Sequence, residues 1–151
     1  RRSAAWTGRT IASMRVYDVL RCLEFIRENK RVDPDEITLI ARDEMCVVAL
    51  YAALLDGNIK ELILENPPAT QNVPGITQGR GHAHEILNCL RVTDAPQVAG
   101  LCYPTKISIL GEMPESYEWA SLIYEKLNDE TRFEVFGNLE EWKQRQAFNL
   151  R

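Results

Sequence analysis

The chain has 151 residues, 45% of them apolar and 26% charged, and a formal net charge of −4. That composition suits one globular domain with a real core, since a chain of this size buries roughly 70% of its unfolded surface. It argues against nucleic acid as a partner, because phosphates need a clustered basic surface and the early arginines (Arg1, Arg2, Arg9, Arg15) are scattered; nor does any apolar run reach the ~20 residues that cross a bilayer.

The first element is a helix from Thr10 to Asn29, where Ile11, Met14, Leu20, Leu23 and Ile26 recur at helical spacing. Val32-Asp33-Pro34-Asp35 is a turn, because proline fixes φ and keeps the residue before it out of helix. Ile37 to Ala41 is a short apolar strand. A helix from Glu44 to Leu55 follows, closed by Asp56-Gly57, where glycine can take a left-handed cap. Leu62 to Glu65 is the second strand, and Asn66-Pro67-Pro68 stops it. From Ala69 to Gly81 the sequence lacks periodicity, and loops of that length usually carry function.

His84 to Arg91 reads as a helix, and Asp94 to Leu101 as a second one, with Asp94 as N-cap and Pro96 in the first turn. Lys106 to Leu110 is the third strand, Glu115 to Asn128 a helix, Arg132 to Phe136 the fourth strand and Leu139 to Phe148 the last helix. Strands alternating with helices imply crossover connections. The expected fold is therefore α/β, with three layers and a mostly parallel sheet in a single domain over residues 1–151. An incomplete sheet of this kind leaves an edge on which another chain, or a second copy, can pair.

Ligands of such sheets bind at the carboxyl ends of the strands. Here those ends are Arg42-Asp43-Glu44, Asn66-Pro67, Gly111-Glu112 and Gly137-Asn138. A nucleotide site needs a glycine-rich turn. Ala41 to Met45 has none, and its two carboxylates repel phosphate. The plainest role for Asp43 is to cap the helix that follows, worth ~1 kcal/mol. His82-Ala83-His84-Glu85 is the other chemical cluster: alternate histidines and a carboxylate suit zinc or iron, and the plainer reading is a polar loop entering a helix. Of the four cysteines (Cys22, Cys46, Cys89, Cys102) none forms a C-x-x-C pair, and Cys22 and Cys46 read as small buried hydrophobes. No cofactor is expected.

A strand running into a helix through a tight turn is also the setting of the nucleophile elbow, G-x-S-x-G. From Gly8 to Pro68 the runs GRTIASMRVYDVLRCLEFI, VDPDEITLI and ALYAALLDGNIKELILENPP resemble the approach to the elbow, the nucleophile helix and the next strand of α/β-hydrolases of the acetyl xylan esterase-like type. VTDAPQVAGLCYPTKISILGE is similar to that family's later helix and the strand leading to its acid loop. The resemblance implies the C-terminal half of that fold, within a longer parent whose earlier strand supplies the oxyanion-hole loop. It also implies a small ester or acylated carbohydrate as ligand.

Carried onto this chain, the resemblance places Ala41 at the first elbow glycine, Asp43 at the serine and Met45 at the last glycine, where its side chain is expected to crowd the strand–helix contact. It implies an acid at Glu112 or Glu115, and a general base at the loop after the fourth strand, where Asn138 stands. Asparagine takes no proton, so the expectation is a hydrolase-like domain that is catalytically degenerate. The alternative is an active ester hydrolase with Asp43 as nucleophile, as some α/β-hydrolases use aspartate.

Overall fold

The short apolar runs become strands, and the two inner ones, Glu61–Glu65 and Lys106–Leu110, are buried from two sides at once. The computed structural model describes residues 6–73 and 84–149. It contains strands β1 (Thr38–Arg42), β2 (Glu61–Glu65), β3 (Lys106–Leu110) and β4 (Phe133–Phe136). They form one sheet in the order β1-β2-β3-β4, and every pairing is parallel. The helices are α1 (Ile11–Arg27), α2 (Met45–Asp56), α3 (Ala95–Leu101), α4 (Glu118–Lys126) and α5 (Leu139–Asn149).

Local chemistry sets the helix ends. Thr10 caps α1 through a reciprocal pair: the Ser13 N–H donates to Thr10 Oγ1 at 3.1 Å and the Thr10 N–H to Ser13 Oγ at 2.9 Å. α2 ends at Gly57, whose φ of 72° is the left-handed stop expected there. Asp94 and Gln97 form the same kind of reciprocal cap on α3. The helix expected over His84–Arg91 does not form. Asn88 is left-handed at φ 61°, so only a 3-10 turn at Cys89–Arg91 survives. The helix expected from Glu115 is a 3-10 turn (Glu115–Tyr117) followed by α4.

The two sheet faces are covered differently. Leu62, Leu64, Ile107, Ile109 and Phe133 point to one side, where they pack with Val47, Leu50, Val98, Ala99, Tyr117 and Tyr124 from α2, α3, the 3-10 turn and α4. Each fully buried aliphatic chain there contributes about 1.5–3 kcal/mol by the transfer of its surface from water. α1 packs on α2, its Val16 against Val48 and Ala52, and its Leu23 joins the core of this layer. Ile63, Leu110 and Phe136 point to the other side and meet Leu139 and Trp142 of α5. The result is three layers, helices on both faces of a parallel sheet.

The α5 side carries a buried polar group. Glu61 is 6% exposed, and its Oε1 accepts from Ser108 Oγ at 2.6 Å and from the Trp142 indole at 3.0 Å. A buried carboxylate is tolerable only with such partners. Lys106 adds charge 3.8 Å away and pairs with Glu134 at 2.7 Å. α5 is thus held to the sheet by a hydrogen bond as well as by apolar contact.

Cys22 departs from expectation: it is exposed, because the next residue, Leu23, takes the inward position on α1. Cys46 and Cys102 are buried.

Candidate functional site

The strand ends build the site by a repeated device. Beyond β1, Asp43 is left-handed at φ 51°; beyond β2, Asn66 is at φ 49°; beyond β3, Gly111 is at φ 93°. Each N–H donates to the last carbonyl of the next strand: Asp43 to Glu65 at 2.9 Å, Asn66 to Leu110 at 3.1 Å, Gly111 to Phe136 at 2.8 Å. The ladder is thereby continued one residue past each strand while the chain turns away. A Cβ at position 111 would lie 2.8 Å from Asn66 Oδ1, so the Asn66 side chain would have to shift to admit it.

Asp43 is therefore not the cap of α2. The N-cap is Glu44, in right-handed helical conformation and with no side-chain hydrogen bond to the helix. A capping aspartate needs an extended backbone, and the left-handed turn denies it that. Asp43 instead projects from a strained turn between strand and helix, the geometry that exposes a residue at an elbow. The flanking residues turn elsewhere. Arg42 pairs with Glu65 across the strands, Nη2 to Oε2 at 2.7 Å, on the exposed side. Met45, expected to crowd the turn, is 39% exposed and takes a contact from Arg15 Nη1 at 3.7 Å. The turn closes because this side chain leaves the strand–helix contact.

A cavity of about 260 Å³ opens beside Asp43. Glu44, Asn66 and Thr70 supply its polar wall; Pro68, Ala69 and Val73 supply an apolar one; His84 lines it too. His84 is 1% exposed. What sets its place is Gln71, itself buried: its Nε2 donates to the His84 carbonyl at 2.9 Å, and its backbone N–H donates to Asp94 Oδ1 at 2.7 Å. The Tyr51 hydroxyl donates to Gln71 Oε1 at 3.0 Å. Burial pushes the Tyr51 phenol up, with Cys89 beside it adding to the shift, so it stays a neutral donor. Thr70 donates its hydroxyl to Asp94 as well. One network therefore ties the loop after β2 to the start of α3 and to α2.

The other positions implied by the resemblance do not gather here. Glu112 and Glu115 are exposed, and Glu115 lines a separate groove with Trp119 and Leu122. Asn138 Oδ1 accepts the Glu141 N–H at 3.0 Å, and Glu141 in turn accepts the Gly137 N–H at 2.7 Å. Asn138 is thus the cap of α5. Cys46 lies one turn beyond Asp43, but its buried thiol is pushed up to about 12, chiefly by loss of water and next by the Asp43 charge. It is no nucleophile at neutral pH. Among the described residues no group of three or more His, Cys, Asp or Glu side chains can hold a metal ion. His82, the second half of the His82–His84 metal expectation, lies outside the described residues.

Sequence reasoning missed Gln71 altogether. The available signal was Tyr51, the one hydroxyl-bearing side chain in MCVVALYAALLD, since a half-buried tyrosine hydroxyl demands a partner. Nothing in the sequence around residue 71 identifies that partner.

No family model matches the chain, and no curated protein matches it. Among the described residues no helix is long and apolar enough to cross a membrane.

Proposed function

We propose that this chain is an α/β-hydrolase-like domain, related to acetyl xylan esterases, that holds a small ester or acylated carbohydrate beside Asp43 without turning it over. The observation that carries the reading is the division of the four implied positions. Asp43 lines a cavity at the carboxyl end of a parallel sheet, whereas Asn138 uses its amide oxygen on the N-terminus of α5 and Glu112 and Glu115 are exposed elsewhere. A ligand can be bound with such parts; a three-residue relay cannot be run with them. The cavity suits an acyl group against Pro68, Ala69 and Val73, and hydroxyls against Asn66 and Asp43.

The test compares the protein with its Asp43→Ala variant on a chromogenic acetyl ester, and titrates an acetylated xylo-oligosaccharide while following backbone resonances. The expected result is the same slow background hydrolysis in both proteins, with ligand-induced shifts centred on Asn66 and His84. Turnover that disappears with Asp43→Ala would overturn the binding reading.

One observation favours a second reading, an active carboxylic-ester hydrolase: Asp43 and His84 line the same cavity. In that reading Asp43 attacks the ester carbonyl, the alcohol leaves with a proton from the His84 imidazolium, and water opens the resulting anhydride. It predicts loss of turnover in both Asp43→Ala and His84→Ala.

A further inference from the structure

We propose that the outward face of α1 is a self-association surface, on which a second copy of this chain lays its own α1 antiparallel about a two-fold axis between Val19 and Leu20. The inward side of α1 is settled: Ala12, Val16 and Leu23 are buried. On a helix that packs by one face, the opposite stripe should be polar. Here the opposite stripe is Met14, Asp18, Arg21 and Phe25, at spacings of four, three and four, which align on one line of a helix. Its ends are apolar and open to water, with Met14 46% and Phe25 76% exposed, and Tyr17 beside them at 61%. Exposed apolar side chains grouped in this way mark an interaction surface more often than scattered ones do.

The order of the stripe identifies the occupant. Read from either end, it runs apolar, charged, oppositely charged, apolar. Laid antiparallel on itself, it brings Met14 against Phe25 of the second copy and Asp18 against Arg21 of the second copy, and the two-fold axis repeats both contacts. A parallel arrangement would set Asp18 on Asp18 and Arg21 on Arg21, which like-charge repulsion opposes. Such self-complementarity is what an isologous two-fold contact requires. A groove beside Arg9, Ser13, Met14 and Tyr17 gives the incoming Phe25 ring a place to lie. Arg21 already pairs with Glu24 on its own helix, both side chains being more than half exposed, so it can face Asp18 of the second copy without losing that partner. A contact made by one helix from each copy falls at the small end of protein interfaces, below about 1,200 Å², and the dimer is accordingly weak and reversible.

The test is sedimentation velocity on the whole chain across the micromolar range, with circular dichroism to verify folding of each variant. The protein is expected to sediment as a monomer–dimer equilibrium that weakens with added salt. Asp18→Arg and Arg21→Asp should each weaken it about tenfold, the effect of turning two surface attractions into repulsions. The double variant Asp18→Arg/Arg21→Asp rebuilds the same complementary order with the signs exchanged, and should restore dimerisation to near the starting value. Phe25→Ser should weaken it in every background. A protein monomeric at all concentrations would overturn the proposal. So would a dimer indifferent to Asp18→Arg, or a double variant weaker than both single ones.

Discussion

Three of the four strands end alike and the fourth does not. After β1, β2 and β3 the chain takes one left-handed residue, whose N–H is accepted by the neighbouring strand. After β4, an edge strand among the described residues, the Gly137 N–H goes to the Glu141 carboxylate instead. The difference lies in which acceptor each strand-end N–H finds. An interior strand end can lend its turn to a site, because the ladder supplies the hydrogen bond and the side chain is left over. At the edge the side chains themselves must close the turn. Asp43 and Asn138 both stand in strand-to-helix junctions, Asp43 directly after β1 and Asn138 directly before α5, yet one is displayed to a cavity and the other is used up.

The largest effect should come from the tightest of the three left-handed turns. Gly111→Ala meets two obstacles, a φ of 93° and the Asn66 side chain 2.8 Å from the new Cβ. We expect a loss of about 2–3 kcal/mol in urea denaturation, from backbone strain with steric overlap added. Asn66→Ala in the same chain should return the steric part and leave the strain. A loss under ~1 kcal/mol would mean that the strand ends are not held as tightly as their hydrogen bonds imply.

A second measurement separates the two ends of α2. Its start has no side-chain cap, but its last residue, Asp56, is gripped by Arg27 of α1 through two hydrogen bonds, at 2.5 and 2.7 Å. That guanidinium holds the Asp56 carboxyl below its ordinary range, against the opposing effect of burial. A carboxyl with a depressed folded-state value stabilises the protein above its unfolded pKa of ~3.9, and that contribution fades as pH falls through the folded value. Asp56→Asn should therefore cost about 1–2 kcal/mol at neutral pH, an amount reduced by the solvent at the rim of the pair. The difference between protein and variant should shrink in titrations below about pH 4. A difference that persists unchanged into acid would show that the pair contributes by shape and not by charge.

Much of this architecture can be read from the sequence, for a physical reason. Parallel strands buried on both faces must be nearly continuous apolar runs, so LILE and KISIL announce themselves, and Lys106–Leu110 is found to the residue; ITLIA reads the same way although Thr38 and Ile40 face water at the sheet edge. Signals that depend on a single backbone angle are less legible. Asn88 breaks the helix expected from His84, and asparagine's tolerance of left-handed conformation does not say where it will be used. The same ambiguity hides Asp43, since aspartate before a helix reads first as a cap. Asn138 was open to reading: Asn followed three residues later by Glu is the capping pattern, and seeking a proton acceptor at that place looks past it. Gln71 and Trp142 were not, because their partners, the His84 carbonyl and Glu61, are distant in sequence and the choice among many donors is made only in the folded chain.

The smallest effects draw the finest distinction, because one replacement should act with opposite signs at the two junctions. Asn138→Ala removes the cap of α5 and should cost about 1 kcal/mol, and Asn138→Gly a few tenths. At position 43 glycine should help. It relieves roughly 1 kcal/mol of left-handed strain, partly offset by the lost attraction between the carboxylate and the start of α2, for a net gain of ~0.5 kcal/mol in Asp43→Gly. Chemical denaturation of both glycine variants beside the parent resolves the sign. A gain at 43 beside a loss at 138 means that the fold carries Asp43 at a cost it could have avoided, which is the pattern of a residue kept for what it meets in the cavity. A loss of more than ~1 kcal/mol at 43 would instead give the side chain a structural task in its own turn, and would remove the strongest reason for placing function there.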